Sequence, residues 1–190
     1  MNNVLEKSLN EILGKLEENG AYKTAVIDVK EVVFNTVFRD ICATNACGKY
    51  GRNHMCPPDI GDINELIDKA KSFDKVLVYQ TITELEDSFD IEGMESAAVL
   101  HNKLARLLRV EMDKLPLVTL NLAAGGCQMC KVCAKIDNKP CRHPDEAMSS
   151  LEAHGISVSD LAASCGMKYI NGKDTVTFFG SVFFKEMKID

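Results

Sequence analysis

Leu117-Val-Thr-Leu-Asn-Leu-Ala123-Ala-Gly-Gly126-Cys127-Gln-Met-Cys130-Lys-Val-Cys133 decides how the chain is built. Pro116 cannot continue a helix, so it closes the element before it. The short apolar run at 117–123 then reads as a strand bounded by Gly125-Gly126. Three cysteines at intervals of three follow the strand end directly, and Cys141 comes eight positions after the third, in Cys141-Arg-His-Pro144. Iron–sulfur clusters take cysteine thiolates, and C-x2-C-x2-C begins the bacterial ferredoxin pattern, in which a tight loop wraps three corners of one cubane. Cys141 departs from that pattern, arriving after seven residues instead of three, but a longer loop can return it to the same centre. Zinc is the alternative, although zinc ribbons space two C-x2-C knuckles far apart. Glycines 125 and 126 would let backbone N–H groups approach the sulfurs.

Outward from this stretch, helix and strand patterns alternate. Val4, Leu5, Leu9, Ile12, Leu13 and Leu16 recur at three and four, and Asn19-Gly20 stops the helix they predict. Residues 22–33 read as a strand bent near Lys30. Ile63, Leu66, Ile67 and Ala70 mark a short helix, and 75–83 (KVLVYQTIT) a second strand. The acid-rich 84–95 is expected as an exposed connection, and 94–115 as a long helix in which His101 is a packed histidine and not a ligand. Pro144 is placed to begin a helix through Leu151. Ser157-Val-Ser-Asp160 resembles a capping box before a further helix, and 175–184 (TVTFFGSVFF) is the last strand. The order predicts an α/β fold: one domain over 1–190, with a mixed sheet of about four to five strands, flanking helices and two cysteine-rich metal-binding loops.

The second of those loops lies upstream, where Cys42, Cys47 and Cys56 precede Pro57-Pro58, so seven of the eight cysteines fall in two clusters. Its fourth ligand is left open between Cys165, His54 and none. Cys165, in Leu161-Ala-Ala-Ser-Cys-Gly166, has the apolar context of a buried helix residue. Clustered cysteines in a reducing cytosol point to metal ahead of disulfides. A cytoplasmic protein is expected, since the first ten residues lack a basic region followed by an apolar run and no apolar stretch approaches a membrane span. The net charge of −6, without a basic run interleaved with aromatics, argues against nucleic acid as partner. Locally the sign reverses: between Cys127 and Pro144, four cations (Lys131, Lys135, Lys139, Arg142) face one acid, Asp137, and Lys49 and Arg52 lie between the upstream cysteines. Such charge offsets an anionic metal centre.

The stretches CGKYGRNHMCPPDIG (47–61) and CQMCKVCAKIDNKPCRHPDEAMSSLEAHGISV (127–158) resemble domain-of-unknown-function family 2284, predicted metal-binding proteins of bacteria and archaea that are frequent in anaerobes. Cys-Pro-Pro at 56–58 and Cys-Arg-His-Pro at 141–144 are the most specific pieces of the resemblance, which extends over most of the chain. It implies metal binding and no particular reaction, and its pattern has no cysteine matching Cys165. The expectation is therefore a [4Fe–4S] cluster on Cys127, Cys130, Cys133 and Cys141, with a second metal site on Cys42, Cys47 and Cys56. Electron transfer to a redox partner protein is favoured over an enzyme that uses an open iron as Lewis acid, because no paired carboxylates or phosphate-binding loop accompany the cysteines.

Overall fold

A computed structural model describes residues 3–187. Five strands form one sheet in the order β1-β2-β5-β3-β4: β1 Lys23–Asp28, β2 Lys75–Glu84, β3 Leu117–Ala123, β4 Ser149–Ser150 and β5 Thr175–Glu186. All neighbours are antiparallel except β3 and β4, which run parallel through Leu122 opposite Ser149 and Ala123 opposite Ser150. The sheet is mixed, as the alternation of elements predicts.

Both faces are covered, which is why β2 is a near-continuous apolar run. Leu77 and Tyr79 point to the face packed by α1 (Asn3–Glu18) and α4 (Ile91–Met112), through Leu5, Leu9, Ile12 and Leu16 from the first and Leu104, Ala105, Leu108 and Met112 from the second. Val76 and Val78 point to the other face, under α3 (Ile63–Lys71) and α5 (Val158–Ser164). Each fully buried leucine or isoleucine of α1 contributes about 1.5–3 kcal/mol by leaving water. On the first face, His101 of α4 stacks on Tyr79 with ring centroids 4.9 Å apart and shares a 2.9 Å hydrogen bond between its Nδ1 and Thr81 Oγ1, the packed role expected for it.

Three local expectations differ from the structure, one through tertiary pairing and two through local hydrogen bonds. Residues 144–151 do not form a helix: the amides of Glu146 and Ala147 donate to His143 O in a single turn, and Ser149–Ser150 then becomes β4 at the sheet edge. Pairing with β3 engages the backbone of Ser149–Ser150, and the segment is too short in apolar residues to gain as much from a helix. Ser157 does precede α5, but its hydroxyl donates to Asp160 Oδ2 at 2.6 Å and caps no backbone N–H. The connection after β2 is shorter than expected, because the Asp90 carboxylate accepts from Gly93 N at 2.8 Å and starts α4 at Ile91.

Two buried histidines make stability depend on pH. Burial lowers the pKa of both His101 and His154 to about 4; the neighbouring cations Lys69 and Arg39 add to the effect at His154. In the unfolded chain each titrates near 6.5. On acidification the unfolded state therefore takes up protons first, so their stabilisation is complete above pH 6.5 and is lost as pH falls towards 4. The loss is on the order of 3 kcal/mol per histidine. Urea midpoints should fall steadily from pH 7 to 4.5, and His101→Gln should flatten that dependence; an equally steep decline in the variant would show that other groups carry it.

Candidate metal centres

The four-cysteine loop follows β3 directly; the upstream loop follows β1 at the opposite edge and is carried across by a bridge between Phe34 and Ile156 and by Asn35 N donating to Gly155 O at 2.7 Å. A helix that sequence reading missed, α2 (Val37–Ala43), carries Cys42 in its last turn. It buries no residue fully, so it lacks the apolar stripe that reveals a helix. After it the chain descends through successive turns, with Gly51 N donating to Pro57 O at 2.8 Å and Cys56 N to Asn53 O at 3.0 Å. These turns bring Cys42, Cys47 and Cys56 to the wall of one cavity of about 260 Å³, which Phe38, Tyr50 and Glu152 also line. Arg39 holds its sides together: Nη1 donates to Gly61 O at 3.0 Å and Nη2 to Ala153 O at 3.1 Å. One guanidinium thus ties the Cys42 helix to the end of the Cys56 loop and to the turn carrying Glu152.

Gly125 and Gly126 belong to this upstream cavity and not to the centre that follows them in sequence. A Cβ on Gly126 would lie 3.3 Å from Cys56 Sγ and 3.3 Å from Lys49 Cγ, so the glycine backbone forms a close wall beside the thiol.

Cys127, Cys130, Cys133 and Cys141 line a second, smaller cavity of about 20 Å³. Cys133 begins a 3-10 turn over Ala134–Asp137, and Asn138 follows in the left-handed region at φ 53°. Lys139 N then donates to Ala134 O at 3.0 Å, which reverses the chain and returns Cys141 to the other three. The seven-residue spacer is thereby absorbed by one turn. His143 N donates to Cys141 Sγ at 3.4 Å. His54 lies at this cavity, with its Nε2 2.8 Å from Lys139 O, so it is not a fourth ligand for the upstream thiols. Asn53 joins the two centres: buried to 4% exposure, it donates from Nδ2 to Cys127 O at 3.0 Å and accepts from Met55 N at 3.0 Å. An ion pair between Lys135 and Asp59 adds a second link between the loops.

The sequence model of a family described as predicted metal-binding protein, DUF2284, matches residues 25–184, a span that includes all seven clustered cysteines. The chain belongs to that family. No curated protein and no solved structure gives a match.

As a DUF2284 protein it offers a metal donors of one chemical kind. Four thiols on one cavity and three on its neighbour make a soft set suited to iron–sulfur centres, zinc or copper(I). Among the described residues no three His, Cys, Asp or Glu side chains are already grouped to hold a single ion. Burial raises the pKa of Cys56 to about 11, and the thiols of Cys47, Cys42 and Cys127 beside it push the same way against Lys49. Cys42 is raised by burial first and then by Glu152 and Cys47, with Arg39 opposing. At Cys127 burial again dominates, while the backbone N–H groups of Met129 and Met148 favour the thiolate. Metal binding therefore has to displace protons from these sulfurs, and the directed N–H groups assist it. Around them Lys49, Arg52 and Lys131 line a shared groove, the local positive charge noted in the sequence. Arg142 lines the four-cysteine cavity itself and donates from Nη1 to Val132 O at 3.0 Å.

Cys165 stands apart from both cavities. It ends α5, packs against the core under that helix and feels Glu31, and burial pushes its thiol up to about 11. Arg39, Asn53 and Glu152 are the residues at the DUF2284 site that sequence reading missed. Asn53 carried a faint signal, as an amide inside a cysteine loop. Arg39 and Glu152 carried none, because each meets the thiols only through tertiary packing.

Proposed function

We propose that this chain is an iron–sulfur protein of the cytosol, working as one metal-binding domain over 1–190, that transfers single electrons to a redox partner or serves a reductase as accessory. The reading rests on one observation: the C-x2-C-x2-C run and the distant Cys141 line a single cavity, separated by Asn53 and Gly126 from a second cavity with three more thiols. A [4Fe–4S] cluster, when bound, supplies a one-electron couple whose potential follows its charge, its N–H···S bonds and its exposure. Cys127, Cys130, Cys133 and Cys141 would hold it as a closed set. The amides of Met129, Met148 and His143 stabilise thiolate charge there, and Lys49, Arg52 and Lys131 offset it from the groove. Cys42, Cys47 and Cys56 would hold the second centre. No helix among the described residues is long and apolar enough to cross a membrane.

A structural zinc on the same four thiols is the second reading, favoured by the closed all-sulfur set. Anaerobic purification followed by iron, sulfide and zinc analysis separates the two. The expected protein is brown, bleaches on reduction and carries at least about four irons with matching sulfide per chain. A colourless protein with stoichiometric zinc overturns the iron–sulfur reading.

A further inference from the structure

The upstream centre has three thiols, and two of the side chains available to complete it from sequence are placed elsewhere. His54 is fastened at the four-cysteine cavity by Lys139 O, and Cys165 lies at the end of α5 beside Glu31. Of the remaining residues that line the cavity, Tyr50 and Ser150 offer neutral hydroxyls and only Glu152 offers a carboxylate. We infer that the Glu152 carboxylate is the fourth ligand of the centre held by Cys42, Cys47 and Cys56. The inference deepens the iron–sulfur reading of that site and rests on it.

Placement supports the assignment. Glu152 opens the 3-10 turn Glu152–His154, whose Ala153 and His154 are buried. That turn cannot drift from Cys42, because Arg39, three residues before Cys42 on α2, donates to Ala153 O at 3.1 Å. The carboxylate lies within Coulombic reach of the Cys42 thiol. Arg39 donates its two Nη groups to backbone carbonyls, and among the described residues no hydrogen bond or ion pair occupies the Glu152 carboxylate. A half-buried carboxylate left without a partner on a wall of thiols is held where a cation would satisfy it.

Chemistry agrees. Three thiolates and one carboxylate carry the same total charge as four thiolates, so the net charge of a bound cluster matches that of a closed cysteine set. Oxygen is a harder donor than sulfur and binds iron of a cluster less firmly. The upstream centre would thus be closed at rest but exchangeable at one position, unlike its four-thiol neighbour.

The test uses the full chain, purified anaerobically, with Glu152→Ala, Glu152→Gln and Glu152→Cys. Electron paramagnetic resonance is recorded on the reduced proteins with and without cyanide, alongside iron and sulfide content. Glu152→Ala and Glu152→Gln should keep the wild-type iron content but show a shifted upstream signal that cyanide changes at lower concentration than in wild type. Glu152→Cys should resist cyanide. Signals and cyanide response unchanged from wild type in Glu152→Ala overturn the inference, as does a Tyr50→Phe protein that alone reproduces the opened site. If Cys56→Ser removes no iron, the iron–sulfur reading of this site fails, and Co2+ titration of the metal-free chain then tests Glu152 by itself. Visible cobalt bands that shift in Glu152→Ala while thiolate-to-cobalt absorbance stays constant support the carboxylate; identical bands overturn it.

Discussion

Cys130→Ser is expected to lose the metal of the four-cysteine centre, about half of the total iron, and to expose residues 125–144 to proteolysis. Between Cys127 and Pro144 only Ala134 is buried, so burial of apolar surface does little to order this loop. Beyond a few hydrogen bonds and the Lys135–Asp59 ion pair, a shared metal would be the main ordering contact, and structural zinc sites contribute on the order of 10 kcal/mol of folding free energy. A serine oxygen replaces one soft donor with a harder one that gives up its proton far less readily. The α1 helix should remain, since Leu5, Leu9, Ile12 and Leu16 are held by the sheet and α4. The upstream centre should survive as well, as none of its three thiols is touched. Cys56→Ser is the reciprocal case and should lose the upstream metal alone, while Cys165→Ala should lose none. Full metal content in Cys130→Ser would remove that residue from the ligand set; complete loss from both centres would show that the Asn53 bridge couples them into one cooperative unit.

Gly180→Ala should cost roughly 3 kcal/mol or more, the upper end of overpacking effects. Gly180 sits in β5 directly across from Tyr79 of β2, and a Cβ there would fall well inside van der Waals contact of Tyr79 Oη, Cζ and Cε1. The ring cannot swing away: Tyr79 is fully buried and stacks on His101 at 4.9 Å. Either the two central strands separate or the tyrosine leaves its packing. For a chain of this size the cost corresponds to a fall in melting temperature of roughly 10 °C. Adding Tyr79→Phe removes the hydroxyl clash but leaves the ring, so the double variant should recover only part of the loss, a coupling that a mutant cycle measures. A melting temperature of Gly180→Ala within about 2 °C of wild type would mean that the ring relaxes without cost.

The same contact shows where sequence reading stops. The near-continuous apolar run in KVLVYQTIT predicts β2 because a strand buried on both faces needs apolar residues at successive positions, and the three-four spacing of α1 predicts one buried stripe. Such patterns are local, and so is the cysteine spacing that marks the two loops. Nothing local told that Gly180 makes room for Tyr79. Ser149–Ser150 likewise became an edge strand because β3 offered it hydrogen-bond partners, against a proline and a short apolar pattern that favoured a helix. At the site, the sequence by itself displayed the candidate sulfur donors, seven cysteines in two clusters, and the positive charge among them. Tertiary structure alone decided how they are shared out. It turned Gly125 and Gly126 to the upstream thiols, moved His54 to the downstream cavity, and brought Arg39 and Glu152 to Cys42. The physical reason is that spacing constrains a ligand set only within one loop, whereas a cavity wall is assembled from segments whose approach depends on how helices and strands bury their apolar faces.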